Sequence, residues 1–499
     1  MMKPNEVYIA RAAEPRYGPC PRGQWPEIPQ EIPATQALAT LRRLLHDAGL
    51  DRARFGTRDW NPLGEFVQKG MRVVLKPNWV LHVNKSGLGL DCLITHISVI
   101  EAILTYVVKA GPSVVVVGDA PIQGCDFESL NTSCGFDRIA GKFSSADTKV
   151  IVKDFRRTIR HEDKAQAGQR HDCRPLDEFV LYDMGEDSAL EDISGEDPDF
   201  RVTMYNPDLM KKTHGPGRHQ YLIARDVIEA DVVINVPKLK THRKSCVTGA
   251  LKNMVGINGH KEYLPHHRKG GVGQGGDCYD GGLWVKSVVE DFLDIGNRTE
   301  NLAMRRAMVV ASRIGSAVGK VLGADSNFEG AWHGNDTIWR TCLDLQRILH
   351  YGQVDGSLSA ARQRTVLSIT DALIAGEGEG PLCPIPVPLG LLTMGLNTAA
   401  IEWVHCILMG LDPNKIALVR EAFADHRFPL TDFAPDDIQI IAAGSPISLN
   451  KLFPEYGRRF IPPVGWRGHC ELDEAGDVRP LPDGVYENAC APGSSSADE

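Results

Sequence analysis

No Cys-x-x-Cys pair occurs among the twelve cysteines, which run from Cys20 to Cys490. A zinc ribbon, a ferredoxin-type cluster and a dithiol redox site all need such spacing, so each is disfavoured and reduced, mostly buried thiols are expected. Long apolar runs are missing too: Val114 to Val117 and Leu391 to Met409 are too short or too interrupted to span a bilayer. The first residues carry no apolar run after Lys3, so neither a secretory signal nor an anchor is expected, and the predicted location is cytoplasmic. There is no Walker A motif, no H-E-x-x-H and no G-x-S-x-G, which removes support for the commonest nucleotide-hydrolase, zincin and serine-hydrolase readings. Positive charge is in deficit, with 55 Lys and Arg against 64 Asp and Glu, and the balance of −9 argues against nucleic acid as the default partner.

What is present is an ordinary folding composition, 42% hydrophobic and 24% charged over 499 residues. Short β-branched runs bounded by Gly, Pro or Asp alternate with helical patterns, which predicts an α/β fold with a mainly parallel sheet and flanking helices. The clearest strands are Arg72 to Leu75, Ser113 to Val117, Lys149 to Lys153, Asp231 to Val236, Thr365 to Ile369 and Ile438 to Ile441. The chain divides into an N-terminal extension (1–69), a first part of the α/β core (70–282), a helical insertion or cap (283–364), a second part of the core (365–445) and an irregular C-terminal extension (446–499). Its last residues, Ala491 to Glu499, read as a disordered tail. The apolar helical faces between Leu283 and Val321 could build a homo-oligomer as easily as a cap.

Five predicted strands run into polar residues that a core would not want. These are Lys76-Pro77-Asn78, Gly118-Asp119, Lys153-Asp154, Pro237-Lys238-Leu239-Lys240-Thr241-His242 and Thr370-Asp371. Open parallel sheets bind ligands beyond the carboxyl ends of their strands, so these positions are expected to share one crevice. The densest segment, Lys238 to Lys269, holds eight Lys or Arg, four histidines and one acid, Glu262. Such a basic island suits a carboxylate, phosphate or sugar-nucleotide ligand. Thr248-Gly249-Ala250 is expected to open a helix whose N–H groups face an anion, with Lys252 and Asn253 on its first turns. His260, His266 and His267 are the candidate metal ligands, with Asp277 or Asp280 as added oxygen donors. Gly270 to Gly276 contains G-x-G-x-x-G but follows HHRK rather than a strand, so a flexible lid is expected there instead of a dinucleotide fingerprint. In Asp371 to Pro381 (DALIAGEGEGP) glycines flank Glu377 and Glu379 and predict a tight turn that gathers carboxylates near Asp371.

These motifs, in order, carry a resemblance. Lys76-Pro77-Asn78, VVVVGDAP with Asp119, NVPKLKTH followed by TGALKNMVG, and DALIAGEGEGPL resemble the bacterial family known as domain of unknown function 362 across roughly residues 70 to 445. The stretch GINGHKEYLPHHRKGGVGQGGDCY is similar to a subgroup often encoded in biosynthetic clusters, which implies a biosynthetic role. Glu379, Asn397 and Glu402 depart from the family pattern, which has Asn at the first position and Asp at the others. The ferredoxin segment of some members is absent, so no iron–sulfur cluster is implied. His242, a Gly-containing loop and Lys252 are also similar to the His…Gly…Lys arrangement of nickel-pincer lactate racemases. That second likeness implies a lysine holding the pincer cofactor and histidines for metal ligation and proton transfer.

The expected function is an enzyme for an anionic, hydroxylated small molecule, acting by metal-assisted acid-base chemistry in epimerisation, elimination or hydrolysis. His242, Lys252, Asp371 and Glu377 would be catalytic, and Lys76, Asn78, Asp119, Lys238, Lys240 and Asn253 would bind substrate. A divalent metal is the expected cofactor, with the nickel pincer as the less favoured alternative. Two rival readings are a magnesium-dependent phosphoryl or acyl-activating transferase using Glu377 and Glu379, and a non-catalytic RNA-binding or scaffold protein.

Overall fold

A computed structural model describes residues 2–163, 168–195, 199–203, 205–281, 284–323 and 327–472; the expected C-terminal tail lies outside them. Twelve strands form one mixed sheet: β1 (Glu6–Arg11), β2 (Arg72–Pro77), β3 (Val114–Asp119), β4 (Lys149–Asp154), β5 (Val232–Val236), β6 (Lys238–His242), β7 (Cys246–Thr248), β8 (Thr365–Glu379), β9 (Cys383–Val387), β10 (Leu391–Gly395), β11 (Gln439–Ala442) and β12 (Ser445–Ile447). The order along the sheet is β12-β11-β1-β10-β8-β5-β2-β3-β4, with β6 and β9 paired to β8 and β7 paired to β6. From β8 to β4 every neighbour is parallel, and the antiparallel strands gather around β8 and β10. The fold is α/β.

The helix Ile97–Lys109 (α1) joins β2 to β3. His96 caps it by accepting the Ser98 N–H, and Gly111, at φ +80, turns the chain after its last residue. Its apolar positions Val99, Ile100, Ile103, Leu104 and Val107 are buried in one cluster with Val73, Leu75, Val115 and Val117 of the sheet. Each such side chain contributes about 1.5–3 kcal/mol by leaving water, so this unit anchors the parallel half.

The helices Trp284–Arg298 (α2), Leu302–Val321 (α3) and Ile338–Tyr351 (α4) fall where a helical block was expected, but they divide into two kinds. On α3, Val310, Ile314 and Val318 are exposed, as a surface hairpin would leave them. Every residue of α4 from Thr341 to Tyr351 is buried, so that helix belongs to the core and not to a cap. The stretch expected as an N-terminal extension also supplies core: β1 lies between β10 and β11. Its buried Glu6 hid that role in the sequence, and the carboxylate is satisfied by the Tyr8 hydroxyl at 2.8 Å. Among the described residues ten cysteines are free, mostly buried, whereas Cys383 is disulfide-bonded, so the expectation of reduced thiols does not reach it.

Candidate functional site

β2 is followed by β3 and β4 on one side, while the later strands β5 and β8 lie on its other side. The strand order therefore reverses between β2 and β5, which is where open α/β sheets form ligand crevices. A cavity of about 1140 Å³ opens there. Asn78 after β2, Asp119 at the end of β3, Asp154 at the end of β4 and His242 at the end of β6 all line it. Four of the five expected strand ends thus meet.

The floor is a buried polar knot. Lys76 is wholly buried; its Nζ lies 2.7 Å from Asp119 Oδ1 and donates to Pro77 O at 2.7 Å and Asn253 Oδ1 at 3.2 Å. Burial pulls the Lys76 ammonium down and pushes the Asp119 carboxyl up, and their contact opposes both. Asn253 Nδ2 donates to Lys76 O and Asn235 Oδ1, stitching β2 to β5 at the switch point. Gly256 presses its backbone against this pair and accepts the Ala120 N–H at 2.9 Å. Asn78 and Thr248 also line the cavity, and their buried Oδ1 and Oγ1 atoms have no hydrogen-bond partner among the described residues.

The wall is cationic. Lys244, Lys252 and Lys261 line the cavity, and none has a carboxylate within ion-pair distance among the described residues. Lys244 donates to Thr203 Oγ1 at 3.1 Å and Lys261 to Ala120 O at 3.1 Å. Lys252, 7% exposed, has no hydrogen-bond or ion-pair partner among the described residues. Burial lowers all three, Lys261 to about 8. Elsewhere in the lining the charges are matched: the buried pair Arg156–Asp154 at 2.7 Å, and the more exposed pairs Lys153–Glu178 at 2.9 Å and Arg243–Glu379 at 3.1 Å.

His242 and His266 stand beside these lysines. His242 Nδ1 accepts the backbone N–H groups of Lys244 and Ser245, so in the neutral ring Nε2 carries the proton. His266 Nδ1 lies 2.6 Å from Leu264 O and must donate to it, which leaves Nε2 with a lone pair. Burial and then neighbouring cations, Lys252 among them, hold both rings well below the usual histidine range, so both are neutral at physiological pH.

Other expected site residues sit elsewhere. Asp371 does not end a strand, because β8 continues to Glu379; it is wholly buried 2.6 Å from Lys238 and accepts the Tyr17 hydroxyl and the His96 N–H. Lys238, drawn into that ion pair, and Lys240, which donates to Leu93 O and is lowered by burial to about 7, do not line the cavity either. The glycines around Glu377 make strand instead of a turn. Glu377 Oε2 accepts the Ile461 N–H, and it is Glu379, at the strand's end, that reaches the cavity. Thr248 closes β7, and Lys252–Ile257 is a 3-10 turn; the anion that receives the Ala250 N–H, at 2.5 Å, is the buried carboxylate of Glu402.

The three candidate metal histidines do not converge. His260 accepts the Glu262 N–H as a helix cap, His266 faces the cavity, and the adjacent His267 points into a separate buried cluster. Asp277 is held by the Arg268 N–H, the Asp336 N–H and the Thr337 hydroxyl. The glycine-rich loop is pinned, with Gly270 N on Glu290 and Gly276 N on Gly271 O, and it does not line the cavity, so it is no lid. Lys244 and Lys261 were not singled out from the sequence beyond their place in the basic island. The spacing Lys244 two residues after His242 was the available signal, since a turn returns both to one side.

Comparison with known proteins adds a family and little chemistry. No curated protein matches the chain. The crystal structure of a protein from Thermotoga maritima is 11% identical with a TM-score of 0.29; the match covers 69% of this chain and 53% of that one, so the chain spans about half the length of that neighbour. Such a likeness is too remote to bear on fold or function. Residues 180–406 match the family described as "Domain of unknown function (DUF362)". That span is narrower than the one its motifs suggested, leaving out Lys76-Pro77-Asn78 and Asp119, but it holds PKLKTH, TGALKN and DALIAGEGEG. Over residues 180–406 the chain therefore bears the resemblance to the DUF362 family that its motifs had indicated.

Proposed function

We propose that the protein is an enzyme of biosynthesis that transfers a proton on an anionic, hydroxylated small molecule held in the 1140 Å³ cavity. The observation that carries this reading is the pairing of opposite proton roles beside unpaired cations. His242 Nε2–H can donate and His266 Nε2 can accept, while Lys252, Lys244 and Lys261 have no carboxylate within ion-pair distance among the described residues. An anionic substrate supplies that charge, and the lysines stabilise the negative charge that grows when a proton leaves carbon or oxygen. Epimerisation and elimination fit best, because both need one group to take a proton and another to give one.

The test is incubation in D2O with a panel of 2-hydroxy acids, sugar phosphates and nucleotide sugars, followed by NMR. Deuterium enters carbon with the wild-type protein, and exchange falls by about 100-fold or more in His242→Gln and His266→Gln. Undiminished exchange in both variants refutes the roles, and a panel in which no anion raises the melting midpoint refutes the anion reading.

One observation favours a second reading. Lys252 is a buried amine without a partner, lowered by burial, and such an amine can attack a carbonyl carbon with loss of water to give an imine. It is also the residue at which the likeness to nickel-pincer lactate racemases would attach a cofactor. Intact mass of the protein as purified, and after borohydride, distinguishes an adduct on Lys252 from a free amine. The magnesium-transferase reading is not favoured, because Glu377 and Glu379 are engaged by the Ile461 and Val464 N–H groups and by Arg243.

A further inference from the structure

Behind the cavity wall lies a second cluster that the proton-transfer reading does not use. His267, Cys278 and Glu290 each offer a ligand atom, and the three atoms lie within 4.8 Å of one another. They come from three elements: the two-residue strand His267–Arg268, the loop after the glycine run, and α2. All three side chains are buried. The Cys278 thiol hydrogen-bonds to Glu290, whose carboxylate also accepts the Gly270 N–H at 3.0 Å. That bond accounts for two members of the cluster but not for the third. His267 is 4% exposed, and its Nδ1 has no hydrogen-bond partner among the described residues.

We propose that His267, Cys278 and Glu290 bind a divalent metal ion of the zinc class, which clamps the 267–278 loop to α2. One nitrogen, one sulfur and one oxygen donor form a set that borderline-soft, tetrahedral Zn²⁺ accepts and that Mg²⁺ and Ca²⁺ do not. In a tetrahedral zinc site such donors stand about 3.5 Å apart, close to the separations of up to 4.8 Å found here. Binding displaces the thiol proton to solvent, and three protein donors leave a fourth position for water or for the Tyr279 hydroxyl, which hydrogen-bonds Glu290. The ion would replace a buried thiol, a buried carboxyl and an orphaned imidazole with a compensated centre. Cys278 accepts the Glu329 N–H through sulfur at 3.2 Å, and Phe328, Glu329 and Ala331 line the cavity, so the clamp would also fix that wall. This inference is independent of the proton-transfer reading, because metal content and ligand shell are measured without substrate.

The experiment uses the full chain, purified without a histidine tag and without chelator. Elemental analysis is expected to find about one zinc per chain. X-ray absorption at the zinc edge is expected to show one sulfur with nitrogen and oxygen neighbours. After chelation, Co²⁺ added to the apo protein gives a thiolate-to-cobalt charge-transfer band that Cys278→Ser loses. A protein without stoichiometric metal whose apo form gives no such band overturns the proposal, and so does a zinc shell free of sulfur, which would place the ion among the cavity histidines. The absorption measurement needs no variant, so the proposal stays testable even if Cys278→Ser fails to fold.

Discussion

Gly256 is the position where a single methyl group tests the architecture of the cavity floor most sharply. A Cβ there would stand 2.7 Å from Lys76 Nζ and 2.8 Å from Lys76 Cε, and closer still to Asp119 Oδ1. The backbone cannot retreat, because Gly256 O is bonded to Ala120 N at 2.9 Å. Lys76 cannot turn away either, being wholly buried and held by Pro77 O and Asn253 Oδ1. Asp119 borders the cavity and can swing only into it, which gives up the 2.7 Å contact with Lys76 and the Trp79 N–H at 2.6 Å. Gly256→Ala therefore breaks a buried ion pair, at a cost of about 3–5 kcal/mol. With an unfolding entropy of about 2.1 cal/mol/K per residue, a chain of this length loses about 1 kcal/mol per degree, so the melting midpoint drops by about 3–5 °C. Gly141→Ala is the control of opposite sign: it lies in the helix Ile139–Phe143 with no atom within 4 Å of the added Cβ, and it should gain about 0.5–1 kcal/mol. Calorimetry or urea unfolding of both variants decides the matter. A Gly256→Ala protein within about 1 kcal/mol of wild type would show that the Lys76–Asp119 pair is not the rigid floor described.

Lys252→Met removes an unpartnered buried amine and should raise stability by about 1–3 kcal/mol while abolishing anion binding; urea unfolding and calorimetric titration with pyrophosphate measure the two effects, and a loss of stability would mean that Lys252 has a partner. Anion affinity should be full below about pH 8 and fall as pH rises through it, because Lys261 must be protonated to hold the ligand; the same depressed group makes the free protein more stable as pH climbs from about 8 toward the unfolded value of about 10.4, and pyrophosphate titrations at pH 7 and pH 9 with equal affinity would contradict this. Asp371→Asn should cost about 3–5 kcal/mol by stranding buried Lys238, yet leave pyrophosphate affinity of the folded protein unchanged, since neither residue lines the cavity. Because the unpaired lysines are buried, affinity for a small anion should fall less than about tenfold between 50 and 200 mM salt, whereas a loss of about 10³-fold or more would mark an exposed nucleic-acid surface.

Much of this arrangement was legible because β-branched runs and their polar sequels follow from backbone chemistry. Val114 to Val117 ending in Gly-Asp, and Val232 to Val236 leading to Lys-Leu-Lys-Thr-His, placed Asp119 and His242 at strand ends that the sheet brings together. The reading failed where glycine was taken as punctuation. In DALIAGEGEG the glycines Gly376 and Gly378 lie inside a long strand: Gly376 packs where a Cβ would meet Lys240, Pro384 and the Cys92 carbonyl, and Gly378 adopts φ +82, so close packing and a local backbone kink set their identity rather than a chain reversal. That error moved Asp371 and Glu377 into the site along with Glu379, which alone of the three lines the cavity. Thr248-Gly249-Ala250 misled for a related reason: its free N–H was read as waiting for a substrate, when Glu402, some 150 residues on, supplies the anion from within. Adjacent histidines hid the remaining distinction. His266 and His267 were one signal in sequence, yet successive residues in extended backbone face opposite ways, so one serves the cavity and the other a separate cluster.

The placement of charge around the cavity also explains how a chain of net charge −9 can hold a site for an anion. In the more exposed part of the lining, Glu178 and Glu379 answer Lys153 and Arg243. These pairs leave little field in solvent, where screening would dissipate it within about 10 Å. Lys244, Lys252 and Lys261 have no carboxylate within ion-pair distance among the described residues, and at the buried Lys252 and Lys261 a unit charge acts several times more strongly than at the surface. Large polyanions are therefore met by paired charges, and only a molecule small enough to enter reaches the uncompensated charge. Keeping those lysines bare is costly to the fold, which explains why Asn253, Gly256 and the Lys76–Asp119 pair beneath them are so fully bonded. A floor that could relax would let an internal carboxylate swing across and quench the site; Asp119 is kept from doing so by Lys76 at 2.7 Å and the Trp79 N–H at 2.6 Å.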